Sequence, residues 1–498
     1  MVDRVSQLAS LVGAACLVVV TIILAMHDLL IACAVAALLL LVGCACRMDG
    51  WRAMLALTMG LLVAASSDVQ ALVDASFYPR YAAVGMLVVW LLCVRRPPSS
   101  RFTPWTGTFV GALWLVAGLA TVSATWSIVA LETFQRGVAL LLLAALVHLL
   151  IRRRWPDRTV MLADLRVIYL VLSLSAVVSL GYGLTDATLA AALSGSQRFQ
   201  GLYNNPNMLG MVCALTIPLG WAVYRQTRRP IEMLGMVPAA GALVLSQSRT
   251  ALVAVAVGAL WVVLRHGIGP VARLVTAAAA GLLTAYLFNL LPAVAAAPWM
   301  QQIVARFTAQ EDLSNGRVAM WQATVDLWWQ NRPALGFGYA SRDHLTQLTS
   351  YERFLGLDIG VVHNSYLQLL LELGLVAVVP LLMLLLAVFR AAVRAPVTRI
   401  NSGLIWLIVT GLLIQITESA MFGTGQTYPY VFWLAVAAVL LHLPTDRRTG
   451  DATGQPTPRR RPADVRVGAG PVGHRPRPAR SGGDAPDGPS RRRLPALR

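Results

Sequence analysis

Apolar runs near the length that spans a bilayer recur along this 498-residue chain from residue 8 to residue 443, and they dominate what it can fold into. A polypeptide crossing lipid must satisfy its backbone internally, so a chain built of such runs folds as a bundle of membrane helices. Composition agrees, with 57% hydrophobic and only 13% charged residues, against about 25% charged in ordinary soluble domains. The expected fold class is an all-α polytopic membrane protein of about 14 transmembrane helices, with 12 as the alternative count. The expected spans are 8–25, 29–46, 53–72, 81–94, 107–122, 128–151, 161–183, 207–224, 231–247, 250–265, 273–291, 364–389, 401–420 and 427–443.

The net charge of +18 does not indicate a nucleic-acid partner, because much of it sits in residues 444–498. That stretch holds 13 arginines against Asp446, Asp451, Asp464, Asp484 and Asp487, with abundant Pro and Gly. It has too few large apolar side chains to bury and reads as a disordered basic tail. Every basic side chain in the chain is Arg; there is no Lys. Cys16, Cys33, Cys44, Cys46, Cys93 and Cys213 all fall in apolar runs, the Cys44/Cys46 pair has no second pair or nearby His, and all six read as packing residues.

Arginines recur in alternate loops: Arg47/Arg52, Arg95/Arg96/Arg101, Arg152/Arg153/Arg154/Arg158, Arg225/Arg228/Arg229, Arg265/Arg273 and Arg390/Arg394/Arg399. By the positive-inside rule these loops and both termini are cytoplasmic, and the intervening loops face outward. The organisation expected is 1–183 and 184–291 as transmembrane helices, the second block carrying Arg198 and Arg249, then 292–363 as a large outward loop. Residues 364–443 follow as C-terminal transmembrane helices, and 444–498 as the tail. The outward loop is too long for a simple connector. Within it Ser314 or Asn315 is placed to cap a helix through Asn331, with Val318, Trp321, Val325 and Trp328 on one face. Trp299, Trp321, Trp328 and Trp329 suit a segment at the membrane interface.

Arginines that fall outside break the pattern, and two of them stand beside helix starts: Arg198 in SGSQRFQGLYNNPN and Arg249 in the SQSRT turn. Both precede helices whose N-termini face outward, where unpaired N–H groups and about half a positive charge favour an anion. Asn207 and Ser248 are candidate caps, and guanidinium forks match phosphate oxygens. A phosphate or pyrophosphate site at the outer surface is the expectation, set against the bland reading of stray surface arginines. His363 precedes the twelfth span, with Asn364 able to cap it, and is the candidate general base. A lone interfacial His is, on the other hand, often structural. Glu132 and Arg136 stand at i, i+4 and are expected to pair. Glu372 is placed to face a cavity and Glu418 to hold an arginine, whereas Arg317, Asp326 and Asp343 read first as solvated loop residues. Tyr203 and Tyr366 are candidates to stack on or hydrogen-bond a sugar. No Walker loop, HExxH or cluster of His or Cys at ligand spacing occurs, and no metal is expected.

Four ordered stretches resemble the O-antigen ligases (WaaL-like) of the wider ligase/polymerase (Wzy-type) superfamily. They are RFQGLYNNPNMLG from Arg198, SQSRTAL from Ser246, GRVAMWQATVDLWWQNRPALGFGYA from Gly316 and VVHNSYLQLLLELGLV from Val361. The resemblance is carried by residues 195–380; the first 180 residues share only hydropathy. It implies a GT-C-like, inverting, metal-independent glycosyltransferase without cofactor in the inner membrane of a Gram-negative bacterium, acting in lipopolysaccharide biosynthesis at the periplasmic face. The donor would be undecaprenyl-pyrophosphate-linked O-antigen and the acceptor a sugar hydroxyl of lipid A–core. His363 would be catalytic and Arg198 and Arg249 would bind the donor pyrophosphate. Tyr203, Asn207, Arg317, Asn364, Tyr366, Glu372 and Glu418 would support them or contact substrate. The alternatives are a Wzy-type polymerase, a protein O-oligosaccharyltransferase and, in another class, a lipid-linked glycan transporter.

Overall fold

The computed structural model describes residues 49–93, 103–266, 298, 300–301, 317–342, 344–345, 362–396 and 398–443. The spans expected at 8–25, 29–46 and 273–291, the caps at Ser314 and Asn315, Trp299, Asp343 and the basic tail lie outside the described residues. Within those residues the chain is helical, with no strand and one isolated bridge between Ser67 and Tyr203.

The first half comprises α1 (Gly50–Ala64), α2 (Gln70–Ser76), α3 (Pro79–Cys93), α4 (Pro104–Val122), α5 (Ala130–Leu149), α6 (Arg158–Thr185) and α7 (Thr188–Leu193). Then come α8 (Pro206–Thr227), α9 (Pro230–Leu234), α10 (Met236–Ser246), α11 (Arg249–His266), α12 (Arg317–Asn331), α13 (Ser365–Leu373), α14 (Val378–Arg394), α15 (Arg399–Thr417) and α16 (Thr427–Leu441). Among the described residues seven helical segments are long and apolar enough to cross a membrane: 70–93, 104–125, 130–154, 158–185, 206–227, 375–394 and 399–417. Three shorter apolar ones cover 50–64, 230–246 and 427–441. The chain is a multi-pass membrane protein.

Local chemistry starts the helices. Asp157 accepts the Thr159 N–H at 2.8 Å to begin α6, and Thr398 accepts from Asn401 at 3.2 Å to begin α15. Asn205, followed by Pro206 in the first turn, accepts from Met208 at 2.8 Å to begin α8. The expected cap, Asn207, is therefore corrected to Asn205. Asn207, the second residue of the helix, turns its side-chain amide to other partners.

Packing converts this list into a bundle. The α16 helix is buried from Thr427 through Leu440 and forms its centre. The α15 helix packs on α8, α11 and α16. Gly403 makes the first of these contacts close: a Cβ there would stand 2.5 Å from the Pro218 carbonyl and 2.4 Å from the Ala222 nitrogen. Without that side chain the two backbones lie together along their length.

One end of the bundle collects arginines and their partners. Arg154 makes a two-pronged pair with the fully buried Asp164 (2.7 and 2.9 Å), and Arg166 pairs with Glu232 at 2.6 Å. Arg153 donates to the carbonyls of Leu91 and Leu92, and Arg265 to those of Ala392 and Ala395. The helix ends meeting there are those the alternation of basic loops assigned to one side.

Three expected spans are not continuous, the 231–247 run parting at Gly235 between α9 and α10. The 53–72 run ends its helix at Ala64 and resumes at Gln70. The 364–389 run breaks after Leu373, where Gly374 adopts φ 68°, ψ −164° before a short 3-10 turn leads into α14. This backbone region is open essentially only to Gly, and a Cβ would meet the Ala334 carbonyl oxygen at 2.3 Å. A helix end leaves carbonyls without partners, and the chain from 333 to 338 supplies them. Phe337 N–H donates to Leu371 O (3.1 Å) and Gly338 N–H to Glu372 O (2.8 Å), while Leu375 N–H donates to Pro333 O (3.0 Å). Hydropathy cannot report such a break, because the residues on both sides are equally apolar.

The face expected for the loop helix is also corrected. In α12 the buried positions are Met320, Thr324 and Trp328, at i, i+4, i+8, while Val318 and Val325 are exposed. Trp321 donates its indole N–H to the Val362 carbonyl at 3.1 Å and ties α12 to the residue before His363.

Candidate functional site

At the end of the bundle opposite the arginine cluster, Glu418 closes α15 in an extended conformation (φ −139°, ψ 154°). Its side chain is buried and serves three elements at once. Oε1 accepts from Arg317 Nη2 at 2.9 Å and from Asn207 Nδ2 at 3.1 Å, and Oε2 lies 3.5 Å from His363 Nδ1. Arg317 also donates to the Thr417 carbonyl at 2.6 Å. The Asn207 carbonyl oxygen accepts in turn from Arg198 Nη2, whose Nε donates to the Ser246 carbonyl at 3.0 Å. A chain of polar contacts thus runs His363–Glu418–Asn207–Arg198, with Arg317 branching from the carboxylate.

Each member is placed by a helix end. Arg198 stands before α8, Arg317 opens α12, and His363 stands one residue before the cap of α13. Asn364 is that cap, as expected: Oδ1 accepts from Tyr366 and Leu367, both at 3.0 Å, while its own N–H donates to Ser419 Oγ at 3.0 Å. Ser365 adds hydrogen bonds to the Gln415 side chain and the Glu418 carbonyl, fastening the start of α13 to the end of α15. His363 itself adopts φ 47°, a left-handed conformation uncommon outside Gly. Its side chain is 32% exposed, and Nδ1 is buried without a hydrogen-bond partner among the described residues. Strained backbone of this kind concentrates at functional sites.

Arg249 is the first residue of α11 and half-buried. Its neighbour Thr250 accepts from Thr417 Oγ1 at 2.8 Å, which docks the start of α11 against the residue preceding Glu418. The starts of α8, α11 and α13 therefore converge on the end of α15.

Other candidates fall elsewhere. Tyr203 is fully buried with its hydroxyl 3.0 Å from Ser175 Oγ, so it is a packing residue rather than a sugar platform. The Tyr366 hydroxyl donates to the Leu412 carbonyl at 3.1 Å and anchors α13 to α15, leaving its proton committed. Glu372, expected to face a cavity, is buried at the end of α13 and accepts from Gln368 Nε2 at 2.8 Å. Burial pushes its carboxyl up to about 7. Asp326 is exposed, in keeping with a solvated role. Arg317 departs from that default and joins the cluster. Glu132 pairs with Arg136 as anticipated, and also stands 2.7 Å from His344 Nε2.

A cleft of about 1020 Å³ opens beside this cluster, between the starts of α3 and α5 and the segments 339–342 and 419–426. Arg80, Arg136, Arg342, Glu132, Gln368 and Ser419 supply polar groups to its wall. The sequence reading passed over Arg80 and Arg342. Both stand in loops expected to face outward, where the positive-inside rule does not account for an arginine, and Arg80 also directly precedes an expected span.

These features define a multi-pass helical membrane protein with an arginine-rich polar site at one end of its bundle. Residues 234–382 match the family model Wzy_C, described as O-antigen ligase, and over that stretch the chain carries a domain of the O-antigen ligase/Wzy-type superfamily. The matched segment contains Arg249, Arg317, His363, Asn364, Tyr366 and Glu372; Arg198 and Asn207 precede it and Glu418 follows it. No curated protein matches the chain. Members of this superfamily are glycosyltransferase-like ligases and polymerases acting on lipid-linked polysaccharide.

Proposed function

We propose that this protein is an O-antigen ligase, transferring a glycan from undecaprenyl pyrophosphate to a sugar hydroxyl of lipid A–core at the periplasmic face of the inner membrane. The observation that carries the reading is the convergence of His363, Glu418, Asn207, Arg198 and Arg317 in one connected cluster at the end of the bundle away from the basic loops. By the positive-inside rule that end faces outward.

In this mechanism the acceptor hydroxyl gives its proton to His363 as its oxygen attacks the anomeric carbon of the donor sugar. The bond from that carbon to the pyrophosphate oxygen breaks, and attack from the opposite face inverts the configuration. With Nδ1 turned toward Glu418, Nε2 is the nitrogen left to take the proton. The carboxylate then stabilises the imidazolium that forms. Arg198 and Arg249, beside the starts of α8 and α11, stabilise the negative charge arriving on the leaving pyrophosphate, which is where electrostatic assistance counts most. Guanidinium groups in this position supply the charge that a divalent metal supplies in other glycosyltransferases.

The test is purified full-length protein with a defined undecaprenyl-pyrophosphate glycan, offered lipid A–core, a second lipid-linked glycan and a pilin acceptor in turn, with excess EDTA present. Transfer to lipid A–core alone is expected. Transfer only to the second glycan makes the protein a polymerase, transfer only to pilin makes it a protein glycosyltransferase, and strict dependence on added metal overturns the mechanism.

A further inference from the structure

The geometry points to the cleft lined by Arg80, Arg136 and Arg342 as the docking site for the phosphorylated headgroup of the acceptor glycolipid. This rests on the ligase reading and extends it to a subsite separate from the donor arginines.

Charge is the first reason. Among the described lining residues three guanidinium groups face one carboxylate, Glu132, which already serves both Arg136 and His344. Arg80 is 7% exposed and has no ion pair among the described residues, and its Nε lacks a hydrogen-bond partner. It is held by Tyr81 Oη at 3.2 Å and by the rings of Phe77 and Tyr81, with ring centres 4.8 and 4.7 Å away. A buried cation without a counter-charge is costly, and an incoming phosphate removes that cost with forked hydrogen bonds. Arg342 is held over the same space by Gln368 Oε1 at 2.7 Å.

The rim is the second reason. Phe77, Tyr78, Leu131 and Phe134 are 46%, 77%, 71% and 52% exposed at the edge of the cleft. Arginines within and exposed apolar side chains at the mouth suit an anionic head carrying acyl chains.

The third reason is position. Glu418 and Ser419 are neighbours, and Glu418 is extended, so successive side chains point to opposite faces. Glu418 reaches His363 while Ser419 lines the cleft and accepts from Asn364 N–H. One strip of backbone therefore separates the headgroup subsite from the proposed base, and a glycolipid anchored there presents its sugars toward His363.

Equilibrium binding to the full-length protein in lipid nanodiscs tests this with three probes: lipid A–core, the same glycolipid stripped of its phosphates, and undecaprenyl pyrophosphate. Wild type is expected to bind phosphorylated lipid A–core about tenfold more tightly than the stripped form, the scale of a charged hydrogen-bonded contact. Arg80→Gln and Arg342→Gln should each erase that preference and leave undecaprenyl pyrophosphate binding unchanged, while Arg80→Lys keeps part of it. Wild type that ignores the phosphates overturns the proposal whether or not either variant folds. Variants that lose undecaprenyl pyrophosphate instead assign the cleft to the donor and also overturn it. Binding needs no turnover, so discrimination of headgroups without transfer defeats the ligase reading and leaves the cleft standing.

Discussion

His363 Nδ1 lies 3.5 Å from Glu418 Oε2, and the other oxygen of the same carboxylate is occupied by Arg317 and Asn207. One side chain thus faces the proposed base and anchors the residues leading to the proposed anion site. Replacing it conservatively separates orientation from charge. Glu418→Gln is expected to lower kcat about 10²-fold, the scale of a general-base contribution, with little change in KM for the donor lipid. His363→Ala should abolish transfer while donor binding persists. Wild-type turnover in either variant removes the base assignment.

Glu418→Ala has a second consequence. It strips the partner from an Arg317 side chain that is only 17% exposed, and breaking such a pair costs about 3 kcal/mol. A clear drop in melting temperature in detergent is expected, with a smaller drop for Glu418→Gln. Equal melting temperatures would mean that the pair contributes nothing to holding α12 on the bundle.

Arg198→Gln and Arg249→Gln should each weaken undecaprenyl pyrophosphate binding about tenfold, the worth of one charge-assisted contact. Titration of the lipid against detergent-solubilised protein reads this directly. Unchanged affinity in both variants eliminates the pyrophosphate assignment.

Gly374→Ala is expected to destabilise the protein by about 1–3 kcal/mol, because φ 68°, ψ −164° belongs to a region nearly closed to residues with a Cβ. The nearby Ala334 carbonyl adds a clash. Since Tyr339 and Arg342 follow directly on this crossing, lipid A–core binding should weaken along with melting temperature. A variant as stable as wild type would show that the chain relaxes there.

Glu372 precedes the 375–394 span and carries a carboxyl raised by burial to about 7, against 4.5 for the free group. Between those values the unfolded chain gives up the proton while the folded chain keeps it. Stability from this group is therefore full below about pH 4.5, falls as pH rises, and levels off above about 7. Glu372→Gln should flatten that slope in melting temperatures measured from pH 5 to pH 8. An unchanged slope assigns the pH dependence to other groups.

The amino-acid sequence alone determined the helical membrane class, the alternation of basic loops and the family of the 234–382 segment. Those signals are local: a run of apolar side chains partitions into lipid whatever it packs against, and a motif is read along the chain. It also nominated His363, Arg198, Arg249, Glu418 and the Asn364 cap as individual residues. Tertiary structure decided what they touch. Glu418 meets Arg317 across 101 positions and Asn207 across 211, and no periodicity encodes contacts at that range. It also buried Tyr203 completely, with its hydroxyl beside Ser175, and tied the Tyr366 hydroxyl to the Leu412 carbonyl. The break at Gly374 was invisible to hydropathy for the same reason: its partners are backbone groups some 40 residues earlier, and only the folded chain brings them together.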